Sequence, residues 1–230
     1  MKKILITGAN RGIGLALTKT YLQAGWHVLA TCRDPLIASE LNSLAPTFPE
    51  LQVFALDVTN YDQMEELSEK LASVAIDIVI NNAGIYGPKD YAFGETDIEA
   101  WREVMEVNVF STMRLAELFY THLCNGNEKI FAAISSKVGS HTMNTKGGGY
   151  IYRSSKAALN SVIKSLSNDL LGEGIRTVAI HPGWVQTEMG GPNALITPDE
   201  SANGIYSVLS HFVDAQSGGF YDYSGDAIPW

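Results

Sequence analysis

Short apolar runs alternate with amphipathic stretches along the whole chain. Seven of the runs carry few polar residues, as strands buried on both faces do. They predict strands at 3–7, 27–31, 51–55, 76–81, 129–135, 176–181 and 219–221. The stretches between them repeat apolar residues at intervals of three and four, and they predict helices at 12–24, 61–73, 97–123 with a possible interruption, 152–171 and 198–211. This alternation is typical of a parallel sheet covered by helices on both faces.

The predicted architecture is an α/β fold with a doubly wound, Rossmann-like parallel sheet of about seven strands. Residues 1–230 are expected to form a single domain, because no linker, repeat or low-complexity segment interrupts the pattern. In such sheets, ligands bind beyond the carboxyl ends of the strands. Residues that follow the predicted strands are therefore the first candidates for a functional site.

A glycine-rich turn follows the first predicted strand and precedes the first helix. Its candidate binding residues are Gly8, Asn10, Arg11, Gly12, Ile13 and Gly14. Glycine permits a tight turn, and the N-terminus of a helix offers unpaired N–H groups and a positive dipole end to a pyrophosphate. The turn indicates a nucleotide site, with a turn that only connects strand to helix as the alternative for the glycines alone.

Tyr152 and Lys156 are four residues apart, so a helix places them on one face, one turn from each other. Tyrosine titrates near ~10, and proton transfer near neutrality requires a pKa close to ~7. A cation about 4 Å away at an effective dielectric of ~20 contributes on the order of 4 kcal/mol, which is sufficient. The pair predicts a proton donor, with an ordinary surface pair as the alternative for this spacing alone.

Further segments follow in a fixed order, each after a predicted strand or on a predicted helix. Their candidate residues are Asp57, Val58, Asn82, Ala83, Gly84, Asn108, Ser136, Pro182, Gly183, Val185 and Thr187. Together with the G-x-x-x-G-x-G turn, Tyr152 and Lys156, this set resembles the short-chain dehydrogenase/reductase family over essentially the whole chain. Within that family, residues 139–160 are most similar to the subgroup of the C-factor signalling protein and the sniffer-type carbonyl reductases.

The resemblance implies an oxidoreductase that reduces an aldehyde or ketone to an alcohol by hydride transfer, or runs the reverse reaction. Tyr152 would donate the proton, and Lys156 would lower the pKa of the phenol and hold the ribose hydroxyls of the cofactor. Ser136, which the S-S-x-x-G register selects over Ser135, would donate a second hydrogen bond to the carbonyl oxygen. Asn108 would link Lys156 to solvent through water.

The remaining segments would hold the cofactor. By the resemblance, Asp57 and Val58 would contact the adenine, residues 82–84 would shape the cleft, and Pro182, Gly183, Val185 and Thr187 would lie beside the nicotinamide, while Tyr152 and Lys156 would also contact the cofactor.

Two arginines favour NADP(H) as that cofactor. In the family register, Cys32 occupies the position where chains that prefer NAD carry an acid for the ribose 2′-hydroxyl, and Arg33 follows it. Arg11 is the second basic residue seen in relatives that prefer NADP. The two are expected to converge on a 2′-phosphate, with Asp34 as a complication because it could pair with Arg33.

The candidate pocket residues include no pair of basic side chains that would receive a carboxylate or phosphate. They are Tyr86, Tyr91, Phe93, Met143, Tyr150, Trp184 and Met189. A neutral, hydrophobic carbonyl or alcohol is the expected substrate. The segment 184–197, which contains two glycines and a proline, is expected to be a mobile lid. The alternative function is a signalling or regulatory protein that binds NADP(H) with little turnover.

Charge and composition argue against some classes of binding partner and bear on the cellular location. A net charge of -9 argues against nucleic acid or an anionic membrane surface, and no segment is long and apolar enough for membrane insertion. The apolar run after Met1 ends at Gly8, too early for a signal peptide. Two cysteines are too few for a disulfide scaffold, so a cytoplasmic location is expected.

Two further features have ordinary explanations. His141 and His181 have no second ligand at metal-binding spacing, so no metal site is expected. The apolar stripe of the predicted helix 97–123 fits helix packing, and it could also serve the interface of a homodimer or homotetramer.

Overall fold

Seven parallel strands form the central sheet of the computed structural model, which describes residues 1–230. They are β1 (Lys3–Ile6), β2 (His27–Cys32), β3 (Leu51–Ala55), β4 (Ile78–Asn81), β5 (Ile130–Ile134), β6 (Arg176–His181) and β7 (Gly219–Asp222). Their order across the sheet is β3-β2-β1-β4-β5-β6-β7, and every neighbouring pair is parallel. The predicted fold class and all seven predicted strands are confirmed. The strand order reverses between β1 and β4, which is where a doubly wound sheet opens a crevice for a ligand.

Helices cover both faces of this sheet. They are α1 (Gly12–Gln23), α2 (Ser39–Asn42), α3 (Tyr61–Lys70), α4 (Ile98–Met105), α5 (Ser111–Cys124), α6 (Tyr150–Leu170) and α7 (Pro198–Ser210). The possible interruption in the predicted helix 97–123 is a π-helical segment, Glu106–Phe110, which joins α4 to α5. The one-turn α2 and four short 3₁₀ turns carry no periodic pattern and were not predicted. No helix has the length and apolar character needed to cross a membrane.

Two apolar layers fill the space between sheet and helices. In β1, Ile4 and Ile6 belong to the layer that contains α1 and α7, whereas Leu5 belongs to the layer that contains α3, α5 and α6. Alternate residues of a strand point to opposite faces, so a strand buried on both sides must be apolar throughout. This is why the strands lack the polar alternation of a half-exposed sheet.

The start of α6 is held from outside the helix. Three consecutive glycines, Gly147, Gly148 and Gly149, precede it with φ values of +67°, +68° and +58°. No side chain of the adjoining loop caps its first turn. Instead, the phenol oxygen of Tyr91 accepts a hydrogen bond from the N–H of Ile151 at 2.9 Å. The helix begins at Tyr150, two residues earlier than predicted, so Tyr152 lies within its first turn.

Candidate active site

A single threonine ties the glycine turn to the end of β4. Thr7 Oγ1 accepts hydrogen bonds from the backbone N–H groups of Asn82 and Ala83, both at 3.0 Å. In return, the side-chain amide of Asn82 donates to the carbonyl oxygens of Thr7 at 2.9 Å and Gly8 at 3.1 Å. These bonds join β1 and β4 at the point where the strand order reverses. Thr7 was expected only to end a strand, and its position before the first glycine is the signal that could have identified it.

The glycine turn has the shape that a pyrophosphate requires. Gly8 and Gly12 have φ values of +64° and +54°, which favour glycine, and a Cβ atom on Gly14 would overlap the carbonyl oxygen of Gly8. Arg11 occupies the N-cap of α1 without a side-chain capping bond, and the first turn carries no acidic residue. The first N–H groups and the positive end of the helix dipole are therefore available to an anion. These residues fit a dinucleotide cofactor.

Tyr152, Lys156 and Ser136 come together where β5 ends beside α6. Lys156 Nζ lies 5.7 Å from the centroid of the Tyr152 ring and donates a hydrogen bond to the carbonyl oxygen of Ile134 at 2.9 Å. The Ser136 hydroxyl lies beside the phenol and lowers its pKa. Ser135 turns the other way and donates to Asn160 Oδ1 at 2.6 Å. Geometry therefore separates the two serines as the S-S-x-x-G register predicts.

Burial dominates the proton affinities of this pair. Only 5% of Lys156 is exposed, and desolvation lowers its pKa to about 8. Desolvation, with a smaller contribution from Tyr86, raises the pKa of Tyr152 above that of a free phenol, against the opposing effect of Ser136. The net shift is set by burial, and the lowering of the phenol pKa by Lys156 stays a prediction. Burial therefore favours the neutral form of the Tyr152 phenol.

Asn108 lies in the π-helical segment and is fully buried. Its amide bonds both backbone groups of Ile85, with Oδ1 accepting from N–H and Nδ2 donating to C=O, each at 2.9 Å. Nδ2 also lies 3.0 Å from Ser155 Oγ. A Cβ atom on Gly84 would lie 3.2 Å from Asn108 Oδ1 and 3.7 Å from Lys156 Nζ, so glycine leaves free the space that separates the two side chains. The amide is fixed between α6 and the segment that follows β4.

The sequence pattern of the family described as short chain dehydrogenase matches residues 2–195 of the chain. The chain belongs to the short-chain dehydrogenase family. C-signal from Myxococcus xanthus is 38% identical over 167 residues, which are 73% of this chain and 100% of that protein. The carbonyl reductase Sniffer of D. melanogaster is 33% identical, with a TM-score of 0.95 and 100% of both chains covered. The NADPH-bound carbonyl reductase from chicken fatty liver is also 33% identical, with a TM-score of 0.92 over 100% of this chain and 99% of that chain. These similarities confirm the predicted family and its carbonyl reductase subgroup.

The residues that the resemblance assigns to the adenosine half of the cofactor follow β2 and β3. Arg33 is exposed at the end of β2. Asp34 does not pair with it, because the Asp34 carboxylate accepts the N–H of Leu36 at 2.9 Å and caps a 3₁₀ turn. Asp57 Oδ1 accepts from both the N–H and the hydroxyl of Thr59, and Val58 is buried. Asp34 could have paired with Arg33, but its carboxylate caps the 3₁₀ turn instead.

The segment 184–197 is folded against the glycine turn. Its two ends meet in a parallel bridge between Val185 and Ile196, and Trp184 Nε1 donates to Gly190 O at 2.8 Å. A Cβ atom on Gly12 would lie 3.2 Å from Thr187 Cγ2, and Arg11 forms an exposed ion pair with Glu188 at 2.8 Å. The segment expected to be a mobile lid therefore has its own hydrogen bonds and an ionic contact across the cleft. Pro182 and Gly183 connect it to β6.

The expected pocket residues surround the mouth of the cleft. Phe93, Met143, Tyr150, Trp184 and Met189 are exposed, and Phe93 meets Tyr150 edge-on with ring centroids 6.4 Å apart. A cavity of about 360 Å³ behind Trp184 and Met143 is bordered by Leu195, Ile196 and Ile228, with Lys137, His181 and Asp222 among its polar residues. Burial lowers the pKa of His181 to about 4, so its ring is neutral near pH 7. No group of three or more His, Cys, Asp or Glu side chains is arranged to hold a metal ion.

The buried ammonium group makes stability depend on pH. The folded protein holds the Lys156 proton with a pKa of about 8, below the ordinary value of 10.5, so the unfolded chain binds more protons between these two values. The free energy of unfolding should therefore rise with pH across this window. Lys156→Met removes the contribution. Urea unfolding at about pH 7.5 and about pH 10 should show wild type gaining on the order of 2 kcal/mol relative to the variant. An equal change in both proteins would contradict the assigned desolvation.

Proposed function

We propose that the protein is an NADPH-dependent carbonyl reductase that converts a neutral, hydrophobic aldehyde or ketone to an alcohol. One observation carries the proposal: a neutral phenol, a buried ammonium group and a serine hydroxyl meet at the carboxyl end of β5, beside a turn that fits a pyrophosphate. This arrangement supplies a proton and hydrogen bonds to an oxygen that gains negative charge. A phenol that is protonated near pH 7 can donate its proton to the oxygen of a carbonyl substrate.

When bound, NADPH supplies the hydride. Tyr152 donates its proton to the carbonyl oxygen of the substrate, and Ser136 donates a second hydrogen bond to the same oxygen. Lys156 is mostly protonated near pH 7, since its pKa is about 8, and its charge stabilises the phenolate that remains. Asn108 is held in place by Ile85 and Ser155. It links Lys156 to solvent through water, and a proton returns to Tyr152 by this route.

The cofactor residues follow from the strand ends. Gly8, Asn10, Gly12, Ile13 and Gly14 hold the pyrophosphate, and the remaining binding residues are Asp57, Val58, Asn82, Ala83, Gly84, Tyr152, Lys156, Pro182, Gly183, Val185 and Thr187. Arg33 and Arg11 bind the 2′-phosphate. Arg33 is exposed and does not pair with Asp34, which supports its binding to the 2′-phosphate. Arg11 is in an exposed ion pair with Glu188, and such pairs contribute only ~0–1 kcal/mol, so releasing it costs little.

The same proposal covers the setting of the enzyme. Ile98, Phe110 and Met113 are exposed along α4, the π-helical segment and α5, which supports an interface between copies in a homodimer or homotetramer. The net charge of -9 supports a small-molecule substrate over a nucleic-acid partner. A cytoplasmic location is proposed because the chain contains only two cysteines.

A second candidate function rests on the similarity to C-signal, which the chain matches over the full length of that protein. In that case the protein would bind NADP(H) and act as a signalling or regulatory protein with little turnover. The clustering of Tyr152, Lys156 and Ser136 favours the enzyme, since binding alone does not require a proton donor.

Loss of the proton donor tests the mechanism. Tyr152→Phe keeps the ring and removes the hydroxyl, so kcat should fall by at least ~10², the scale of general acid catalysis, while the Kd for NADPH stays near the wild-type value. Steady-state kinetics and fluorescence titration measure the two quantities. Tyr206→Phe, on α7 and away from the site, is the matched control. Near-normal turnover of Tyr152→Phe would overturn the mechanism.

Cofactor choice depends on Arg33. A charge-assisted hydrogen bond to a phosphate contributes roughly 1.5 to 3 kcal/mol, so Arg33→Ala should weaken NADPH by about 10-fold to 150-fold. NADH has no 2′-phosphate, and its Kd should hardly change. Arg102→Ala, at an exposed arginine on α4, controls for the loss of one surface charge. A wild type that prefers NADH, or an equal loss for both cofactors, would disprove the assignment.

A panel of carbonyl compounds separates the two candidate functions. Stopped-flow mixing of the protein and NADPH with aromatic aldehydes, long-chain aldehydes and small keto acids should give single-turnover oxidation of NADPH. The neutral, hydrophobic members should have the higher kcat/KM because the cleft mouth is aromatic. Tight NADPH binding without oxidation by any member would favour the signalling protein. A preference for the keto acids would contradict the proposed substrate class.

A further inference from the structure

Four side chains form a continuous stack across the candidate site, from the surface to the interior. We call Lys89, Tyr86, Tyr152 and Lys156 the four-residue stack. Lys89 Nζ lies 5.2 Å from the centroid of the Tyr86 ring, the Tyr86 and Tyr152 rings stack with centroids 4.4 Å apart and planes at 23°, and Lys156 Nζ lies 5.7 Å from the centroid of Tyr152. Two aromatic rings are thus enclosed between two cations.

This order of groups is favourable at each contact. The face of an aromatic ring is negative and attracts a cation within about 6 Å, and a close ring pair adds its own attraction. Tyr86 covers one face of Tyr152, while Lys156 approaches the phenol from the interior. The Tyr152 ring therefore contacts both a stacked ring and a buried ammonium group, and Tyr86 excludes water from the face that it covers.

The outer end of the stack reaches the segment 184–197. Lys89 Nζ donates a hydrogen bond to the carbonyl oxygen of Met189 at 3.2 Å. The preceding residue, Glu188, is the one that pairs with Arg11 of the glycine turn. Lys89 thereby connects the Tyr86 ring to a segment that borders both the cleft mouth and the cofactor turn.

We propose that Tyr86 is a positioning residue that holds the phenol of Tyr152 in place for proton transfer, and that Lys89 couples this contact to the segment 184–197. The proposal rests on the proposed function, in which Tyr152 is the proton donor. Tyr86 is not among the residues assigned to the cofactor, so its effect should appear in turnover and leave NADPH binding unchanged.

Removal of the stacked ring tests the first part. Tyr86→Leu should lower kcat by about 2-fold to 10-fold, the range of an aromatic pair, with the Kd for NADPH unchanged. Tyr86→Phe keeps the ring and should restore kcat to within about 2-fold of wild type.

Loss of the outer cation tests the second part. Lys89→Met should raise KM by about 2-fold to 5-fold, the range of an exposed cation–π contact. Lys70→Met is the matched control, because Lys70 lies 5.4 Å from the Phe54 ring in an equivalent pair away from the site. If Tyr86→Leu does not fold, Lys89→Met carries the test alone, since it changes a surface residue.

The outcomes separate this proposal from the proposed function. Wild-type kcat in Tyr86→Leu would overturn the positioning role of Tyr86, and a wild-type KM in Lys89→Met would overturn the coupling by Lys89. In either case, a loss of activity in Tyr152→Phe still upholds the reductase. A Tyr152→Phe variant with normal activity would remove both. A loss of kcat in Tyr86→Phe equal to that in Tyr86→Leu would assign the effect to the hydroxyl and overturn the role of the ring.

Discussion

The site depends on burying the ammonium group of Lys156 against the end of β5. Removing a cation from water is costly, and here one main-chain carbonyl, that of Ile134, provides the direct hydrogen bond. This bond ties α6 to the end of β5, where Gly139 also packs against the backbone of Lys156. With α6 tied there, Tyr152 lies one turn earlier on the same face, beside Ser136. The packing of α6 against the sheet therefore offsets the free-energy cost of keeping the ammonium group of Lys156 out of water.

Much of this arrangement could be predicted from the sequence. The continuous apolar strands predicted a parallel sheet. The motifs that follow these strands therefore lie at one edge of the sheet. Tyr152 and Lys156 lie near each other as their spacing predicted, and Ser136, which the resemblance named, lies beside Tyr152. The bounds of α6 and the π-helical segment around Asn108 were harder to predict, because they depend on contacts with residues distant in sequence, such as Tyr91 and Ile85. Local periodicity carries no information about such contacts.

Electrostatics were the least accessible to sequence reasoning. The spacing of Tyr152 and Lys156 suggested a phenol with a lowered pKa, whereas burial of the phenol acts in the opposite direction. A desolvation cost depends on every atom within several ångströms, and a linear motif names only two of them. In the same way, Asp34 is occupied by the backbone of Leu36, which its position beside Arg33 did not reveal.

The three left-handed glycines before α6 bear on how this scaffold can diversify. Space is open around Gly147 and Gly148, and a Cβ atom on Gly149 would meet only the flexible side chain of Arg153. These three glycines therefore join the loop to α6 with few contacts of their own, while the N–H of Ile151 is bonded to Tyr91. Earlier in the same loop, Gly139 packs directly against the backbone of Lys156. The length of the chain at residues 147–149 can therefore change while the contact that holds Lys156 stays in place.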